Sequence, residues 1–169
     1  MQPAKKTVYI ETTIPSVITA RPSRDIVKAF RQEVTRLFWE HERHNYDLCI
    51  SEFVIQECSK GDIQAANRRM ELLSGIPLYL RNAEIEALAE DYFNYLQIPL
   101  KAKTDCFHLA VCVIYKINYL LSWNMTHLGR SASYKITIFN ASKNLWLPEL
   151  VTPDMFLDII RQGAENEAY

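Results

Sequence analysis

The amino-acid sequence predicts an α/β fold organised around a parallel sheet, and three observations carry that prediction. Short β-rich runs alternate with longer segments of helical periodicity along the chain. The 169 residues are 49% apolar and 23% charged, the make-up of an ordinary packed protein. No repeat, linker or low-complexity segment divides residues 1–169, so one domain is expected, with its core over about 7–160.

The β-rich runs are Thr7–Ile10, Tyr46–Ile50, Pro77–Leu80, Asn118–Ser122 and Glu149–Thr152. After the first strand, Pro15 is expected to end the segment. Ile26, Phe30, Val34, Leu37 and Phe38 recur at helical spacing, which predicts an amphipathic helix from Arg24 to about His44 with Ser23 as N-cap. A short helix is predicted over Ser51–Ser59 and another over Ile63–Leu73, broken at Lys60, Gly61 and Asp62. Asn82 caps a helix reaching about Leu96. Thr104 is expected to cap the most apolar helix, Asp105–Lys116, which should be buried. Weaker periodicity predicts a helix over Ser133–Asn144, and Pro153 opens a last one whose polar continuation, 162–169, should fray.

Composition excludes several classes of function. Glycine occurs only four times and never in a cluster, so no glycine loop can cradle a phosphate. A net charge of -1 leaves no global positive field, and any nucleic-acid contact must be local. Cys49, Cys58, Cys106 and Cys112 form neither a redox pair nor a zinc ribbon, which predicts reduced, buried thiols. No apolar stretch approaches the ~20 residues of a membrane span, and no signal-peptide core is present. A cytoplasmic location without membrane association is the resulting expectation.

Open parallel sheets bind ligands beyond the carboxyl ends of their strands. Glu11 follows the first strand, Ser51 and Glu52 the second, and Trp123 and Asn124 the fourth. Glu57 lies on the short helix after strand two, and at most one of Glu52 and Glu57 should point inward. Asp105, His108 and Cys112 share the narrow polar edge of their helix. His108 and Cys112 read more simply as a hydrogen-bonded core histidine and a packing thiol, and His41 and His44 as a solvated face.

Glu11, Glu57 and Asp105 would converge at the sheet's carboxyl edge. Two carboxylates about 4 Å apart at an effective dielectric of ~20 repel by about 4 kcal/mol, so such a set needs a cation. Oxygen ligands favour Mg²⁺ or Mn²⁺.

Four segments then resemble the PIN-domain ribonucleases, and in particular the VapC-like toxins of toxin-antitoxin modules. They are V-Y-I-E-T-T-I-P-S at Val8–Ser16, I-S-E-F-V-I-Q-E-C-S-K-G-D at Ile50–Asp62, K-T-D-C-F-H-L-A at Lys103–Ala110 and N-Y-L-L-S-W-N-M-T-H at Asn118–His127. The resemblance implies a five-stranded parallel sheet in the order 3-2-1-4-5 and an acidic quartet that binds Mg²⁺ or Mn²⁺. Glu11, Glu57 and Asp105 match three of the four acids, with Glu11 where the family carries Asp. Asn124 stands at the fourth position and can offer a carbonyl oxygen or orient a water. Thr12 and Ser122 match supporting hydroxyl positions.

What the resemblance implies is metal-dependent hydrolysis of RNA, with Glu11, Glu57, Asp105 and Asn124 as catalytic residues. Arg21, Arg24, Lys60, Lys101 and Lys103 are the candidate cations for substrate phosphates. A cognate antitoxin protein and a homodimer are further implications. Two other readings remain open: a catalytically weakened PIN-fold module that binds RNA or a protein partner, and a phosphatase-like hydrolase, against which stands the lack of an Asp directly after strand one.

Overall fold

The computed structural model describes the backbone of residues 4–124 and 130–167. Its strands are β1 (Thr7–Ile10), β2 (Asp47–Ser51), β3 (Leu78–Tyr79), β4 (Tyr119–Leu121) and β5 (Glu149–Val151). Each lies within one residue of its sequence-predicted bounds. They form one parallel sheet in the order β3-β2-β1-β4-β5. The helices are α1 (Thr13–Thr19), α2 (Ile26–Leu37), α3 (Glu52–Cys58), α4 (Ile63–Leu72), α5 (Ala83–Leu96), α6 (Lys103–Ile114), α7 (Arg130–Ser142) and α8 (Pro153–Glu167). The last of these carries helical backbone across the polar tail to residue 167. Met125–His127, the end of the fourth motif, lie outside the described residues.

β1 is the central strand, with Val8, Tyr9 and Ile10 all fully buried. It pairs through Tyr9 with Cys49 on one side and through Ile10 with Leu121 on the other. Glu11 extends the ladder by donating its N–H to the Leu121 carbonyl at 3.1 Å. The register therefore places Glu11 where β1 and β4 end together. Packed beneath the sheet, α6 buries Cys106, Leu109, Ala110, Val111, Cys112 and Val113, which the apolar periodicity anticipates. All four cysteines are free and buried. Burial raises the Cys49 and Cys106 thiols to about 12, so they remain protonated and inert.

The structure departs from the sequence reading at three helix starts. Pro15 does not end the chain's advance from β1: it sits in the first turn of α1, where its missing N–H has no intrahelical partner to lose. Asp25, not Ser23, caps α2, its carboxylate accepting from the Lys28 N–H at 2.9 Å, while Ser23 Oγ accepts from the Asp25 N–H. Thr104 is not a cap, because a 3₁₀ turn over Leu100–Ala102 leads directly into α6 at Lys103.

The larger correction concerns the face of α2. This helix stops at Leu37, and a π turn (Phe38–Glu42) and a 3₁₀ turn (Arg43–Asn45) complete the predicted span. Of the predicted stripe, Val34 and Phe38 are buried, whereas Ile26 is 86% and Phe30 52% exposed and Leu37 is exposed as well; Gln32 and Thr35 are buried beside Val34. Polar anchoring decides the orientation. The Gln32 amide donates to the Arg21 carbonyl at 2.9 Å and accepts from the Ser23 N–H at 3.0 Å. Thr35 Oγ1 accepts from the Trp123 indole N–H at 2.8 Å. Three directed bonds at this surface draw Gln32 and Thr35 inward beside Val34, and leave Ile26 and Phe30 outside.

Gln32→Ala is expected to destabilise the chain by about 1–3 kcal/mol through lost and unmet hydrogen bonds, whereas Phe30→Ser should stay within about 0.5 kcal/mol of wild type. Urea denaturation of both variants decides it: a larger loss in the Phe30 variant would mean that the apolar stripe is the packed face.

Candidate active site

Glu11 is 6% exposed and held from three directions through one oxygen. Its Oε2 accepts from the Thr13 N–H at 2.9 Å, from Thr13 Oγ1 at 2.5 Å and from Ser122 Oγ at 2.8 Å. These bonds leave Oε1 outside the set. The first turn of α1 and the end of β4 thus fix the carboxylate together, which explains why Thr13 is useful directly after the strand. Thr13 Oγ1 also accepts from the Trp123 N–H at 2.8 Å.

Glu57, on the last turn of α3, meets this group from β2's side of the sheet. Its Oε2 accepts from Thr12 Oγ1 at 2.5 Å and lies 3.0 Å from His108 Nε2. The other ring nitrogen of His108 is 2.7 Å from the Tyr9 hydroxyl, which in turn is 2.6 Å from Ser51 Oγ. Burial alone would raise the Glu57 pKa, but the hydrogen bond and charge of His108, with Thr12 and Lys60, bring it below the usual carboxylate value. Burial disfavours a charged His108, yet the Glu57 hydrogen bond and the charges of Glu11, Glu57 and Asp105 raise its pKa above the usual histidine value.

One ligand atom from each of Glu11, Glu57 and His108 falls within a group no more than 4.8 Å across. His108 Nε2 faces Glu57 Oε2, so the imidazole serves as the partner of that carboxylate, and Glu11 and Glu57 are the oxygen donors of the group suited to a divalent cation. Asp105 is 7% exposed and sits one helical turn before His108, and its Oδ1 accepts from the Asn124 amide at 2.9 Å. Ser122 Oγ accepts from the Asn124 N–H at 2.8 Å as well as donating to Glu11. Glu52, by contrast, turns away and accepts from the Arg81 N–H at 2.7 Å.

A cleft of about 640 Å³ opens over the cluster, lined by Glu11, Thr12, Glu57, Lys60, Arg31, Trp123 and Asn124 among others. Arg21 and Arg24 line a second hollow, which shares Ser16, Val17 and Arg31 with the first. Lys101 and Lys103 line neither. Lys103 pairs with Glu90 at 2.5 Å and lies over the Phe93 ring, while Lys101 is exposed in the turn before α6.

Against this geometry stands VapC20 of Mycobacterium tuberculosis, a sarcin-ricin-loop-cleaving toxin, whose crystal structure matches at a TM-score of 0.58 over 75% of this chain and 94% of that one. The fold is PIN-like. Sequence identity to that structure is 14%. No protein-family model matches the sequence, and no curated protein does.

On this PIN-like sheet, two residues acquire a place that the sequence reading did not give them. His108, read as a core histidine, is indeed buried and hydrogen-bonded, but its partner is a carboxylate of the cluster. Its position three residues after Asp105, on the same edge of α6, is the signal that links it to the site. Arg31 carries no such signal: it is one of several charged residues on α2, and only the fold sets its guanidinium over the Trp123 ring at 5.1 Å.

The Glu57–His108 pair makes stability depend on pH in two directions. The Glu57 contribution is complete above its unfolded value near 4.5 and is lost as pH falls through its lowered folded value. That of His108 is complete below its unfolded value near 6.5 and is lost as pH rises through its raised folded value. Unfolding free energies across this range should therefore decline on the alkaline side in wild type and decline less in His108→Gln. Equal alkaline slopes in the two proteins would remove His108 as the cause.

Proposed function

We propose that the chain is a metal-dependent endoribonuclease of the PIN-domain, VapC-like kind, hydrolysing phosphodiester bonds in RNA. The observation that carries the reading is the Glu11–Glu57–His108 group, within 4.8 Å, at the carboxyl edge of a PIN-like sheet. Glu11, Glu57 and Asp105 would hold Mg²⁺ or Mn²⁺, and Asn124 completes the catalytic set. A bound cation of this kind polarises a phosphoryl oxygen and lowers the pKa of water.

The protein's own groups divide the remaining work. Thr13 and Ser122 hold one oxygen of Glu11, so the carboxylate reaches the cleft in a fixed orientation. Thr12 and His108 do the same for Glu57 and keep it ionised. Asn124 orients Asp105 through its amide. Lys60 and Arg31, both lining the cleft, meet substrate phosphates there, with Arg21, Arg24, Lys101 and Lys103 as outlying cations. The reading brings with it a cognate antitoxin protein, a homodimer and a cytoplasmic place of action. Among the described residues, no helix is long and apolar enough to cross a membrane.

One observation favours a second reading. The Asn124 amide engages Asp105 at the position where the family carries a fourth acid, so the site has fewer negative charges to bind cations. A PIN-fold module that binds RNA or a protein partner without efficient cleavage is consistent with that arrangement.

Incubation of a defined RNA pool with Mn²⁺, with Mg²⁺ and with chelator separates the two. Metal-dependent cleavage that falls about a hundredfold or more in Asp105→Asn, equivalent to ~3 kcal/mol of transition-state stabilisation, supports the nuclease. RNA retention without cleavage, and no calorimetric signal for either metal, would leave the binding module.

A further inference from the structure

The second hollow, between α1 and α2, is built from cations. Arg21, Arg24, Lys28 and Arg31 line it, and none of its lining residues is acidic. Its volume is about 620 Å³. Arg31 and the α1 residues Ser16 and Val17 also line the cleft over Glu11 and Glu57, so the two hollows adjoin along α1. Lys28 and Arg31 stand one turn apart on α2, an arrangement of like charges that costs an isolated helix about 0.2–0.5 kcal/mol. An anion in the groove would relieve it.

The loop that presents these cations is not left to chance. Gln32, 7% exposed, uses both ends of its amide on it: the nitrogen donates to the Arg21 carbonyl at 2.9 Å and the oxygen accepts from the Ser23 N–H at 3.0 Å. This fixes the backbone from which Arg21 and Arg24 project. At the other end, Arg31 lies over Trp123, whose indole is tied to Thr35. The groove is therefore shaped before any ligand arrives, which lowers the ordering cost of binding.

We infer that the α1–α2 groove is a phosphate track, in which Arg21, Arg24, Lys28 and Arg31 hold the backbone of single-stranded RNA on one side of the acidic cleft. The inference rests on the nuclease reading for its ligand and goes beyond it by assigning a path. Sequence-tolerant single-strand binding uses positively charged grooves of this kind. Lys101 and Lys103 lie outside the track.

The test is anisotropy of a short fluorescein-labelled single-stranded RNA, with chelator present so that cleavage does not intervene. The full chain is compared with Arg21→Gln/Arg24→Gln/Lys28→Gln, all three exposed positions, and with Lys116→Gln/Lys135→Gln/Lys143→Gln, which removes equal charge from residues lining neither cleft. Each phosphate contact to a single strand contributes about 0.7 to the slope of log affinity against log salt. The track variant should lose about 2 from that slope and on the order of a hundredfold in affinity at 0.1 M salt, with the control variant near wild type. Equal losses in both variants, or no loss in the track variant, would overturn the track while leaving the nuclease intact if RNA is still cleaved. Tighter binding of duplex than of single strand, or capture of polyglutamate with RNA affinity unaltered, also overturns it. A wild-type chain that neither binds nor cleaves RNA rejects the nuclease reading itself.

Discussion

The Tyr9 hydroxyl lies inside the sheet with every atom of its residue shielded from water, and the structure is arranged to satisfy it. Ser51 Oγ at the end of β2 and His108 Nδ1 on α6 are its two partners, at 2.6 and 2.7 Å. An unmet buried hydroxyl would cost roughly 1–3 kcal/mol, so β1, β2 and α6 are held in one relative placement. Because His108 bonds Tyr9 through one nitrogen, its other nitrogen can face only Glu57. The buried bond thus carries through the imidazole to a carboxylate at the surface of the cleft. Geometry at the site is inherited from the core.

A second set of bonds fixes the opposite wall. Thr13 joins Glu11 to the backbone of Trp123, and Ser122 joins Glu11 to the backbone of Asn124. Both sets begin on β1, whose central position in the sheet brings residues distant in sequence within hydrogen-bond reach. Neighbouring side chains then act through one another: Asn124 on Asp105, Thr12 and His108 on Glu57. Such networks favour a single arrangement because each member is already engaged.

Much of this was legible in the sequence. The five strands, the buried α6 and the inert cysteines followed from periodicity and from the residues that end each strand, while the choice of Glu57 over Glu52 came from the family resemblance. The strand order followed from the family resemblance. Two things were not legible, for different reasons. Ile26, Phe30 and Leu37 share the periodicity of the buried Val34 and Phe38 yet lie exposed, because the hydrogen bonds of Gln32 and Thr35, whose partners lie elsewhere in the chain, set which part of the face turns inward. His108 could not be joined to Glu57 because the two are 51 residues apart and the 3.0 Å between them exists only after folding.

The strand order has a temporal side. Glu11 leaves a ribosome early, but the hydroxyl and the carbonyl that hold it belong to Ser122 and Leu121. Asp105 likewise waits for Asn124. A nascent chain ending before these residues carries the acids without the frame that aims them. Pairings this distant in sequence also form late in folding, since their loop closure must precede any gain from contact. Whatever the cleft does, its frame is complete only once the chain has been synthesised through Asn124.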